Sequence, residues 1–128
     1  MDCIFCKIIE GSIPSYTIYE DKVVKVFMDV NPVADGHLLI APKQHFVNIN
    51  DIPLEVLTHI QSIAKEMFKL LKDKLNIDGL TLTQNNEYGQ EVKHYHLHLI
   101  PRYKDDKINF IHSMSNNTIE DIYKKIND

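Results

Sequence analysis

Residues 94–101 read HYHLHLIP. From His94 to Leu99 a ring that can titrate or hydrogen-bond alternates with a core-type side chain. A period of two belongs to a strand, because successive strand side chains point to opposite faces. One face therefore carries His94, His96 and His98, and the other carries Tyr95, Leu97 and Leu99, which can pack on a core. Successive histidine Cβ atoms on such a face lie ~7 Å apart. That spacing suits imidazoles spread along an elongated ligand, whereas zinc gathers all its donors at about 2 Å from one point. A solvated polar sheet face would account for one histidine more readily than for three of the chain's seven.

The rest of the chain supplies partners for this strand. CIFCKIIE (3–10) forms a short apolar helical turn, broken by Ser12 to Pro14. TIYE (17–20) and KVVKVFMD (22–29) are β-rich and form a hairpin about Asp21. VNPVADG (30–36) has loop chemistry, and HLLIAP (37–42) reads as a buried strand. Leu57, Ile60, Ala64, Met67, Leu71 and Leu75 recur at spacings of three and four, which predicts one long helix over about 53–75. Asp51 is its expected N-cap, with Pro53 in the first turn. GLTLTQN (79–85) is a strand, NEYGQ (86–90) a turn, and EVKHYHLHLIP (91–101) the histidine strand. Ile119, Ile122, Tyr123 and Ile126 mark a short terminal helix. This order gives an α+β fold: a single antiparallel sheet of about five strands, one long helix packed on it, and short helices at both ends.

With 128 residues the chain fits one domain, read as a core over about 3–103 and a tail over 104–128. Hydrophobic residues at 44% and charged residues at 25% describe a globular protein. A net charge of −4 argues against nucleic acid or an anionic membrane as partner. No apolar run has membrane-spanning length, and MDCIFCKIIEG lacks the pattern of a secretory signal. A cytoplasmic, reducing location follows, which disfavours a structural disulfide between Cys3 and Cys6. A redox role for the C-x-x-C would need a thioredoxin-like strand ahead of it, and only two residues precede Cys3.

HYHLHLIP fits the pattern His-φ-His-φ-His-φ-φ, with φ apolar, and the chain resembles the histidine triad family in its Hint-like bacterial branch. The resemblance is carried by CIFCKIIEGSIP, VFMDVNPVADGHLLIAPKQH, GQEVK and HYHLHLIPRY, roughly residues 3–103. It implies that His96 is a nucleophile that becomes transiently nucleotidylated at the α-phosphorus. His98 and His37 would hold the phosphoryl oxygens, Asn85 would orient one of them, and Gln90 with Glu91 would contact the phosphate or leaving group. Asp29 would accept from the ribose hydroxyls. Ile4, Phe5, Ile8, Ile13 and Val30 would line a purine pocket. Two departures stand out. Glu91 replaces the serine that protonates an amine leaving group in animal members. The loop NNEYGQ is also shorter than its Hint counterpart, so Asn85 is aligned by its place six residues after Gly79.

Cys3 and Cys6 suit two corners of a tetrahedral zinc site. His45 and His94 would complete it, as the resemblance to bacterial members implies, giving a structural Zn2+ and leaving His96 and His98 for chemistry. Two small buried thiols are the alternative. His59 and His112 read as surface residues. No catalytic metal or organic cofactor is expected. The expected activity is that of a purine nucleotide hydrolase or transferase, foremost a nucleoside phosphoramidate hydrolase. A dinucleoside polyphosphate hydrolase, a nucleotide-binding interaction protein with little turnover, and a metallohydrolase are the alternatives. The resemblance also implies a homodimer.

Overall fold

The computed structural model describes residues 3–110 and 113–128. Its elements run α1 (Ile4–Glu10), β1 (Thr17–Glu20), β2 (Val24–Met28), β3 (Leu38–Pro42), α2 (Leu54–Leu75), β4 (Gly79–Thr83), β5 (Leu97–Arg102) and α3 (Ile119–Ile126). The five strands form one antiparallel sheet in the order β1-β2-β3-β5-β4. The expected α+β architecture is the one found.

Local chemistry sets the element ends. Cys3 caps α1, its Sγ accepting from Cys6 N–H at 3.2 Å, and Gly11 closes the helix in the left-handed region at φ 94°. Asp21 makes the β1–β2 turn, its Oδ1 accepting from Val23 N–H at 2.7 Å and Val24 N–H at 2.8 Å. The expected N-cap of α2 is corrected. Pro53 occupies that position without a side-chain cap. Asp51 instead holds the turn before it, accepting from Val47 N–H at 3.0 Å and Asn48 N–H at 2.9 Å.

The stripe on α2 is buried against one face of the sheet. Ile60, Ile63, Ala64, Met67 and Leu71 meet Val24, Val26, Leu38, Ile40, Leu97 and Leu99. The sheet's other face is covered near its centre by α1, where Phe5 and Ile8 pack on Phe27, Leu39 and Ala41. Burial on both sides explains why β3 is a continuous apolar run instead of an alternating one.

The histidine strand is shorter than its alternation predicts. The ladder begins at Leu97, so His94, Tyr95 and His96 precede it. Tyr95 N–H is taken by Phe46 O at 2.7 Å, which draws this stretch to the 46–50 loop and away from a neighbouring strand. The alternation of faces survives all the same. Tyr95, Leu97 and Leu99 lie in the α2-side core, while His98 pairs with Leu39 on the α1 side. His59, expected as an unpartnered surface residue, is paired: its Nε2 lies 2.6 Å from Asp21 Oδ2. His112 lies outside the described residues. No helix among the described residues is long and apolar enough to cross a membrane.

Candidate active site

The α1 side of the sheet opens into a cavity of about 490 Å³. Its apolar wall is Ile4, Phe5, Ile8 and Ile13 from the N-terminal segment, with Val30 from the loop after β2. Its polar wall is Asp29, Asn85, Glu91, His96 and His98. The α1 segment and the end of β2 with its following loop supply one side, and residues 85–92 with β5 and its approach supply the other, so residues far apart in sequence converge. Phe27 and Leu39 complete the floor. The sequence reading placed them only in strands, although Leu39's register with His98 puts it on the cavity face.

Two expected site residues do not line the cavity. Gln90 is buried and turned into the protein: its Nε2 donates to Val47 O at 2.5 Å, and its Oε1 accepts from Glu87 N–H at 3.1 Å. Both ends of the amide hold the 86–90 turn, so it does not line the cavity. His37 is 3% exposed and reaches the site through His98, its Nε2 2.9 Å from His98 Nδ1. Asn85 lines the cavity and Asn86 does not. Asn86 is consumed in structure, accepting from Ile49 N–H at 2.8 Å and pairing with Gln84, while Asn85 faces the cavity.

Hydrogen bonds fix the proton on each ring. His96 Nδ1 lies 2.7 Å from His94 O. A carbonyl only accepts, so Nδ1 carries the proton and Nε2 keeps its lone pair. Val33 N–H points at His37 Nδ1 at 3.2 Å, which makes that nitrogen the acceptor and puts the His37 proton on Nε2. His37 Nε2–H then donates to His98 Nδ1 at 2.9 Å. His98 is left with its proton on Nε2. The cavity therefore meets one imidazole with a lone pair and a second with an N–H, their ring centroids 5.0 Å apart.

Electrostatics keep these rings neutral. Burial, helped by the neighbouring His96 and His37 and opposed by Asp29, pushes His98 down to about 4. Burial lowers His96 as well, against the hydrogen bond to His94 O. His37 is lowered by burial and partly restored by Asp29. A neutral imidazole is a nucleophile and an imidazolium is not.

Among the described residues, two groups of side chains have the composition of metal sites. Asp29, His37 and His98 cluster within 4.8 Å. Their hydrogen bonds argue against a cation there, since His37 Nε2 carries a proton while Val33 occupies Nδ1. The other group is Cys3, Cys6, His45 and His94. Here His94 Nδ1 lies 3.3 Å from Cys3 Sγ, 3.5 Å from Cys6 Sγ and 3.2 Å from His45 Nδ1, and Cys6 Sγ lies 3.2 Å from His45 Nδ1. Zinc bonds of ~2.3 Å to sulfur and ~2.0 Å to nitrogen in a tetrahedron give edges of roughly 3.3–3.8 Å. His94 Nε2 donates to Pro42 O at 2.8 Å, which leaves Nδ1 as the ligating nitrogen. Two thiols and two imidazoles at these separations fit a structural zinc. Burial and then Cys3 push the Cys6 thiol up to about 11, so a cation is what would draw off its proton.

Known proteins resemble the chain over most of its length. The HIT domain family model matches residues 10–105. The adenosine 5′-monophosphoramidase HNT1 of Saccharomyces cerevisiae is 45% identical over 111 residues, 85% of this chain and 67% of that one. A HIT family protein from Bacillus subtilis has a crystal structure that superposes with a TM-score of 0.88 at 34% identity, covering 99% of this chain and 94% of that one. A zinc-bound histidine triad family protein from Mycobacterium smegmatis superposes with a TM-score of 0.82 at 32% identity, covering 90% and 85%.

Proposed function

The chain belongs to the HIT domain family, and from that premise we propose that it hydrolyses purine nucleoside 5′-phosphoramidates through a nucleotidyl-histidine intermediate. The observation that carries this reading is the pair of neutral rings with assigned protons, His96 with a free lone pair and His98 with an N–H, at the polar end of an apolar cavity. The phosphoramidase relative in yeast favours a P–N bond as the one cleaved.

The purine lies between Ile4, Phe5, Ile8, Ile13 and Val30. Asp29 accepts from the ribose hydroxyls; its Oδ1 is oriented by Asn31 N–H at 2.8 Å. The His96 Nε2 lone pair attacks the α-phosphorus, and the bond from phosphorus to the leaving nitrogen breaks. That nitrogen keeps the bonding pair and takes a proton from a water molecule at the cavity mouth, beside Glu91, leaving hydroxide. His98 Nε2–H and Asn85 hold the phosphoryl oxygens where charge develops. As His96 gains a bond at Nε2 it becomes cationic, and its Nδ1–H···O bond to His94 strengthens. The hydroxide then attacks the same phosphorus, the P–Nε2 bond breaks with its pair returning to Nε2, and the nucleoside monophosphate leaves with His96 neutral again. His37 and Gln90 act as positioning residues: His37 sets the His98 tautomer and Gln90 holds the turn that presents Glu91.

Cys3, Cys6, His45 and His94 would hold a zinc ion, whose bonds would cross-link the N-terminal segment to the approach to β5. A second copy of the chain covers the edge strand β4, where Phe68, Leu80 and Leu82 line an apolar groove with α2.

Comparing kcat/KM on an adenosine phosphoramidate and a diadenosine polyphosphate tests the bond cleaved. The phosphoramidate should be the better substrate. A preference for the polyphosphate would move the protein to the other branch, and tight binding without turnover of either would make it a nucleotide-binding protein. Replacing His96 with Ala should abolish turnover while a nucleoside monophosphate still binds.

A further inference from the structure

The four-residue Cys/His cluster shares its supports with the cavity. Cys3 is at once a member of the cluster and the N-cap of α1, and the next residues of that helix are the cavity wall. His94 is at once a member of the cluster and the residue whose carbonyl holds the proton of His96 at 2.7 Å. Phe5 bridges the two. Its ring meets His94 edge to face at 6.1 Å and 72°, and meets His96 at 4.8 Å and 90°. The far end of α1 has its own tether to the sheet, Lys25 Nζ donating to Ile8 O at 3.0 Å. The near end leans on the cluster.

We propose that metal at the Cys3–Cys6–His45–His94 cluster and nucleotide in the cavity bind with positive coupling, carried by Phe5 and by the main-chain carbonyl of His94. This rests on the reading of the cavity as a nucleotide site and goes beyond a zinc that merely staples the N-terminus. A nucleotide must order α1 and the His96 ring. Metal already bound has fixed Cys3 and the His94 ring, so part of that ordering is complete before the nucleotide arrives. Linkage makes the effect reciprocal: whatever factor zinc adds to nucleotide affinity, nucleotide adds to zinc affinity. His94 and Phe5 are thus positioning residues for the nucleophile, acting through its orientation.

The test is calorimetric and reads binding. Zinc is titrated into metal-free protein with and without saturating adenosine 5′-monophosphate, and the monophosphate is titrated into zinc-loaded and metal-free protein. Both pairs should give the same ratio, roughly 5- to 150-fold. Phe5→Leu keeps all four ligands but removes the ring that bridges His94 and His96, so the ratio within each pair should fall toward one. Equal monophosphate affinity with and without zinc overturns the coupling alone. A monophosphate that fails to bind even the zinc-loaded protein overturns the nucleotide reading and the coupling with it. The far-UV spectrum of the metal-free protein should retain its helix signal, because the α2-side core does not include α1. Collapse of that signal would make the metal a global folding staple and overturn the local coupling.

Discussion

Val33 contributes only a main-chain N–H to the site, yet that donor decides where two protons sit. By pointing at His37 Nδ1 it forces the His37 proton toward His98, and so aims the remaining His98 N–H away from His37. Replacing His37 with Ala removes the donor that fixes this tautomer. We expect kcat to fall by roughly 10²-fold, the low end of what losing one oxyanion donor costs, with a smaller change in KM. Steady-state kinetics check this. The same burial predicts a pH effect on stability. His98 titrates at about 4 when folded and near 6.5 when free. Between those values the unfolded chain binds the extra proton, so stability falls as pH drops from 6.5 toward 4. His37 is shifted in the same direction. Asp21 and Asp106, each held at about 2 against an ordinary 3.8, lose their contributions only below this window. For Asp21, burial acts upward but the hydrogen bonds from Val24, His59, Val23 and Tyr19 outweigh it. Urea midpoints in the presence of chelator should decline across the window, and should decline less in His98→Gln.

Elements place these residues, and their legibility in the sequence varied with the kind of signal. The apolar stripe of α2 and the two-residue period around His98 were readable, because each is a repeated pattern that burial enforces. The start of β5 was not, because Tyr95 N–H takes a loop carbonyl as partner, and loop pairings leave no periodic trace. Gln90's inward turn was equally invisible, being decided by the Val47 carbonyl on the 46–50 loop and the Glu87 N–H. The position of His37 depends on Gly36, whose φ is +89°. A Cβ there would stand 2.6 Å from Leu75 Cδ1 and 3.2 Å from Pro101 Cγ. The loop into β3 therefore reaches the end of α2 only through a glycine. Gly36→Ala should destabilise the protein by about 1–3 kcal/mol, and chemical denaturation would measure it.

At the scale of the whole molecule, the sheet separates two tasks. Its α2 side holds the larger core, and its α1 side holds the cavity and the Cys/His cluster. The sequence revealed the histidines and the cysteines but not how closely the two sites adjoin. That depends on Phe5 touching His94 and His96 at once, a contact between residues about ninety positions apart. The sheet also ends in β4, an edge strand beside Phe68 and Leu82, which are 38% and 39% exposed. This edge with its apolar flank is where the proposed second copy would pair. Light scattering should give about twice the 14.9 kDa of one chain, and Leu82→Lys should shift the protein toward the single-chain mass. The most direct test of the account lies at His96. Protein mixed with an adenosine phosphoramidate, denatured within one turnover at alkaline pH and digested, should carry one adenylyl group on the peptide containing His96. An unmodified peptide under conditions of demonstrated turnover, or the group found on another residue, would contradict it.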